Sequence, residues 1–169
     1  MNMTARRRLL LASAALPGLL AVGSCGFELR RAPELRFRTL AMVGFAPRSE
    51  LAAELRLQLA HTSTRVVESA AEAEVVLQAL EDRRQRSVVA STAVGQVREV
   101  RLRQRLRFRV RTREGRELLA PSELLLTRDL STSETSVLAK EEEEALLFRA
   151  MTTDIAQQVL RRLAALQPG

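Results

Sequence analysis

Arginine occupies positions 101, 103, 105, 107, 109, 111 and 113, with Leu102, Gln104, Leu106, Phe108, Val110 and Thr112 between them. Alternation with period two places the two sets on opposite faces of a β-strand. Seven guanidiniums on one face suit the gripping of phosphates, because each presents planar, bidentate donors. Cys25 offers the chain's other distinct chemistry. It is the only cysteine in 169 residues and directly follows Gly23 and Ser24. Ahead of it lie Arg6, Arg7 and Arg8, then an apolar stretch from Leu9 to Val22 broken by Pro17 and Gly18. A basic start, a short apolar run and small residues describe a secretory signal. A thiol immediately after the small residues describes the bacterial lipoprotein kind. There the thiol accepts a diacylglyceryl group, the chain is cut before the cysteine, and the new amine is acylated.

That reading divides the chain into a signal at 1–24, a lipidated N-terminus and tether at 25–35, and one folded domain at 36–167. Leu9–Val22 is shorter than the ~20 apolar residues a bilayer span needs, so acyl chains are the expected anchor. Each buried methylene is worth roughly 0.8 kcal/mol, so one chain holds weakly and two or more hold firmly. The plainer alternative is a secretory signal followed by a free thiol. Gly26 follows the cysteine where an aspartate would favour the inner membrane. Its identity favours the outer membrane of a Gram-negative envelope.

Composition fits one globular domain, with 46% apolar and 28% charged residues. The formal net charge is +7, and removing the signal's three arginines leaves +4. Lys140 is the only lysine, and there is no Trp or Tyr. Nucleic acid is one polyanion a basic row could meet. The row lacks interleaved aromatics for base stacking, with Phe108 on the opposite face, and export argues against it more strongly. Lipopolysaccharide is another, with phosphates on its lipid A and core. The alternative is a solvated face partly neutralised by acids on neighbouring strands, whose charge discourages edge-to-edge aggregation.

Enzyme chemistry finds little support. His61 is the only histidine, and nothing around it points to a nucleophile or base. There is no Cys/His cluster for zinc and no glycine-rich phosphate loop, so no metal and no cofactor are expected. Glu141–Glu144 are consecutive, and consecutive helical residues point in different directions. They read as a solvated helix start favoured by the dipole.

The elements that must position these residues follow from periodicity. Phe37–Phe45 reads as a strand. Pro47 to Glu50 opens a helix with Leu51, Leu55 and Leu59 on one stripe, proline suiting its first turn. Arg65-Val66-Val67 is a short apolar piece. Val75–Val89 reads as a strand with a polar centre, and Ser91–Gly95 as a turn. Val100–Arg113 and Glu117–Asp129 form an antiparallel hairpin around Glu114-Gly115-Arg116. Leu130–Thr135 reads as a loop. A long helix over 137–166 carries Leu147, Met151, Ile155, Val159 and Leu163 at i, i+4. The fold class is α+β: two helices on one face of a roughly four-stranded mixed sheet, with the arginine row on the other.

Cys25-Gly26-Phe27-Glu28-Leu29-Arg30 resembles the C-G-[FW]-x-L-R start of the mature LPS-assembly lipoprotein family, LptE. Gly95 to Val100 resembles that family's G-x-x-x-E-[YV] entry to a long strand. Arg128-Asp129-Leu130 resembles its R-x-[FY] strand end. Leu138-Ala139-Lys140 with Glu143 resembles its L-A-K-x-x-E. The resemblance implies helices on a four-stranded sheet and a non-enzymatic role. It implies a plug inside the outer-membrane barrel LptD that helps the barrel assemble and delivers lipopolysaccharide to the outer leaflet. It also implies lipopolysaccharide contact through basic residues, with Lys140 matching the family's lysine. A second basic position, before the glycine turn, is Ala93-Val94 here. Arg103, Arg105 and Arg107 are the further candidates. An envelope lipoprotein that binds another acidic surface or envelope protein is the competing reading.

Overall fold

The computed structural model describes residues 34–131 and 137–167. The expected signal and Cys25 lie outside these residues, as do most of the tether and of the loop after Leu130.

The elements run β1 (Thr39–Val43), α1 (Glu50–Leu59), β2 (Arg65–Val67), a 3₁₀ turn (Ala70–Glu72), β3 (Val75–Ser91), β4 (Val97–Thr112), β5 (Glu117–Ser131) and α2 (Val137–Ala164). The sheet has five strands in the order β2-β1-β3-β4-β5. β2 and β3 flank β1 in parallel, while β3, β4 and β5 form an antiparallel meander. The expected α+β class holds, with one strand more than four. Arg65-Val66-Val67 is too short for a periodic signal, and it becomes a strand only by pairing with Thr39-Leu40-Ala41.

Helix α1 starts later than proline suggests. Ser49 is its N-cap, with its hydroxyl accepting from Ala52 N–H, so Pro47 stands outside the helix. The same hydroxyl donates to Asp82 on β3 at 2.5 Å, tying the helix start to the sheet. Helix α2 begins at Val137, so Glu141–Glu144 fall beyond its first turn. Glu143 and Glu144 sit in ion pairs with Lys140 and Arg86 rather than standing free at the helix start.

Both helices cover one face. Leu51, Leu55 and Leu59 of α1 and Ile155, Val159 and Leu163 of α2 pack with Leu77, Leu106, Phe108 and Val110 into the main core. Met151 continues it against Val100 and Leu102, with Leu147 and Phe148 half-buried beside them. Each fully buried Leu, Ile or Phe contributes roughly 1.5–3 kcal/mol. Gln104 breaks the apolar set. It is fully buried, and Thr152 Oγ1 lies 3.1 Å from its Oε1. Arg84 donates to the same hydroxyl at 2.6 Å. The even positions of β4 therefore face the helices, as alternation requires.

Candidate functional site

The opposite face of the sheet carries the arginines. At one end it is closed by the 3₁₀ turn, where Ala41, Ala73 and Val76 form a small apolar cluster. From Arg111 outwards β4 presents arginine at every odd position down to Arg101, and no helix lies over them. Directly paired residues on adjacent strands share a face, so the register names the neighbours. Arg109 lies opposite Gln78, Arg107 opposite Glu81, Arg105 opposite Arg83, and Arg103 opposite Gln85. From β5, Asp129 lies opposite Arg101, Thr127 opposite Arg103, Leu125 opposite Arg105 and Glu123 opposite Arg107.

A bulge sets this constellation. Leu80 is an extra residue in β3 between Ala79 and Glu81, and an extra residue reverses which face the following side chains meet. Glu81, Arg83 and Gln85 consequently join the arginine face. Asp82, Arg84 and Arg86 turn to the helices, where Arg84 pairs with Glu50 at 2.7 Å and stacks over Phe148. On β5 a second irregularity at Ala120-Pro121 places the proline, which has no N–H to donate, on an edge strand.

Compensation along the row is uneven. Arg101 makes a bidentate pair with Asp129, at 2.7 and 2.9 Å. Arg105 lies between Glu81 at 3.9 Å and Glu123 at 3.7 Å, beyond hydrogen-bond reach of either. Arg109 donates to Gln78 at 3.0 Å. Among the described residues, Arg83, Arg103 and Arg107 have no hydrogen bond or ion pair. The expectation of acids on neighbouring strands is met for part of the row only.

The hydrogen bond from Arg101, and then its charge and that of Arg103, hold the Asp129 carboxyl below the usual aspartate range. The same hydrogen bond raises Arg101. A depressed carboxylate stabilises the fold above its unfolded-state pKa and loses that contribution as pH falls through the folded value. The Asp129 contribution should therefore be complete at neutral pH and vanish on acidification below about pH 4. Titration of its carboxyl carbon by NMR checks this: a midpoint at or above the ordinary aspartate value would contradict the pairing. Arg101→Gln should move the midpoint upward.

Lys140 stands elsewhere. It lies on α2, in the layer that covers the other face, and pairs with Glu143 at 2.9 Å. The sequence-derived candidates thus fall into two groups: Arg103, Arg105 and Arg107 on the open face, Lys140 on the helix side. No single phosphate group can touch both. Arg83 belongs with the first group and was not singled out from sequence, since its position depends on the Leu80 bulge. Among the described residues no group of His, Cys, Asp and Glu could hold a metal ion. No helix among them is long and apolar enough to cross a membrane.

Two helices over one face of a mixed sheet, with a basic opposite face, define a single α+β domain. The family described as Lipopolysaccharide-assembly, LptE, matches residues 37–163, and the chain belongs to it. The fold is similar to that of lipoprotein B from Nitrosomonas europaea, with 31% identity, 83% of this chain and 91% of that chain covered, and a TM-score of 0.69. It is also similar to the rare lipoprotein B of Shewanella oneidensis, with 26% identity over 76% of this chain and 95% of that chain and a TM-score of 0.63. A minor lipoprotein of Acinetobacter baumannii has 25% identity over 78% and 96%, with a TM-score of 0.63. No curated protein matches the sequence. The protein is thus a lipoprotein of the Gram-negative envelope that acts in lipopolysaccharide assembly.

Proposed function

We propose that this chain plugs and helps assemble an LptD-type outer-membrane barrel, anchored by acyl chains on Cys25. The pair then delivers lipopolysaccharide to the outer leaflet. The carrying observation is the uncovered basic face on the side of the sheet away from the helices and the main core. The fold needs no further apolar cover there, and a partner surface meeting it must be polar. The lumen of an outer-membrane barrel is polar, and surface burial with polar contacts would hold the domain in it. No catalytic step is assigned to the chain.

Lipopolysaccharide contact is part of the same proposal. Lys140 is the first candidate for a phosphate, with Arg103, Arg105 and Arg107 forming a second, separate group. Purification of the protein from outer membranes should bring down a barrel of outer-membrane type. Recovery of another envelope protein or of anionic lipid alone would instead favour the reading of an acidic-surface binder. Lys140→Asp should weaken lipopolysaccharide binding and leave the far-UV spectrum intact, because Lys140 makes only a helix-surface ion pair. Unchanged binding removes Lys140 from the contact.

A further inference from the structure

Three cross-strand rows lie side by side on the open face. They are Gln85–Arg103–Thr127, Arg83–Arg105–Leu125 and Glu81–Arg107–Glu123, each read across β3, β4 and β5. The middle row contains an anomaly. Arg83 and Arg105 stand directly opposite each other, and like charges in that relation are destabilising. Neither is locked by an acid: Arg83 has no partner among the described residues, and both acids of Arg105 lie beyond 3.5 Å. Arg103, in the next row, is also without a hydrogen-bonding or ion-pair partner. A concavity of about 230 Å³ opens among these rows, lined by Glu81, Arg83, Gln85, Arg103, Arg105, Leu125 and Thr127.

We propose that Arg83, Arg103 and Arg105 form a binding site for a phosphate monoester on the open face of the sheet. The lining holds three guanidiniums and one carboxylate, a net charge of +2. A phosphate monoester carries about −1.5 to −2 at neutral pH, opposite in sign to the site even with Glu123, 3.7 Å from Arg105, counted in. Arg offers forked donors suited to phosphate oxygens. The Gln85 amide and Thr127 hydroxyl add neutral donors in the Arg103 row. A bound dianion would also remove the repulsion between Arg83 and Arg105. Arg101 is excluded because Asp129 occupies its fork. Arg107 is a row further on and does not line the concavity. The proposal rests on the reading above only for the source of the phosphate, the phosphorylated lipid A of lipopolysaccharide.

The test uses the lipidated protein in a non-ionic detergent. Pyrophosphate is titrated by calorimetry, and lipid A is then titrated with and without its phosphates. Pyrophosphate should bind, and R83Q and R103Q should each weaken it roughly tenfold or more, whereas R56Q, on the far layer, should stay within about twofold. R83Q should also raise the thermal midpoint without ligand, since it removes the like-charge pair. Phosphorylated lipid A should show the same ranking of variants, and its dephosphorylated form should not. Absence of saturable pyrophosphate binding overturns the site, as does an equal loss in R56Q. If pyrophosphate follows the ranking and lipid A does not, the phosphate site stands and its lipopolysaccharide source falls.

Discussion

Replacing Gly44 with alanine should destabilise the domain by about 3 kcal/mol or more. Gly44 has φ +80°, a conformation that costs other residues about 1–2 kcal/mol. It also crosses the backbone of β3, so an added Cβ would lie well inside van der Waals contact with the Ala79 carbonyl oxygen. That oxygen belongs to the strand and cannot swing aside as a side-chain end can. Gly95 isolates the first effect from the second. Its φ is +81°, yet an added Cβ would meet nothing within 4 Å. Gly95→Ala should thus cost only the conformational ~1–2 kcal/mol. Urea denaturation followed by far-UV circular dichroism compares the two. A Gly44→Ala loss no larger than that of Gly95→Ala would show that the crossing over Ala79 relaxes easily. A large loss would mark the crossing as the fixed point that turns the chain from β1 to the helix face.

Cys25→Ala should abolish palmitate labelling and release the protein from membranes that lack its partner. Loss of two or more acyl chains, at roughly 0.8 kcal/mol per buried methylene, changes partitioning by many orders of magnitude. Nothing among the described residues replaces that anchor. Helix α2 is the longest, at 28 residues, and it alternates its apolar stripe with charges. Radiolabelled palmitate with the wild type and the variant gives the chemical readout, and fractionation gives the physical one. Label retained on the variant would refute acylation at Cys25. Membrane recovery without label would point to retention by a protein partner, which a high-salt wash would test.

Much of the architecture is legible along the chain. The stripe Leu147, Met151, Ile155, Val159, Leu163 and the stripe Leu51, Leu55, Leu59 each predict a one-sided helix, and all of them are buried except Leu147, which is half-buried. The alternation in β4 predicts its two faces correctly from Val100 to Thr112, whereas Val97, beyond the irregular end of the β3 pairing, packs on the helix side. Gln104 is the informative exception. It follows the alternation into the interior as a polar residue, and its use there depends on Thr152 and Arg84, which are distant in sequence.

The candidate site was legible in composition and only partly in membership. Arg103, Arg105 and Arg107 follow from spacing, and the resemblance around Leu138-Ala139-Lys140 brings in Lys140. Their separation onto opposite sides of the sheet does not follow, because it needs the packing of α2 on the even face of β4. Arg83 is equally hidden, since straight alternation from Val75 would assign it the other face.

By itself the sequence determined the properties that depend on neighbours a few residues away: the helical stripes, the two faces of β4 and the chemistry expected at Cys25. Tertiary structure alone decided the strand order, the membership of Arg65-Val66-Val67 in the sheet and the phase of β3 after Leu80. It also decided which guanidiniums are neutralised. The physical reason is the range of the interactions. Periodicity is written into consecutive residues, whereas register and bulges are set by pairing between segments far apart in the chain. Asp129 closes the fork of Arg101 because β4 and β5 pair in one register, and Arg83 faces Arg105 because one extra residue shifts another.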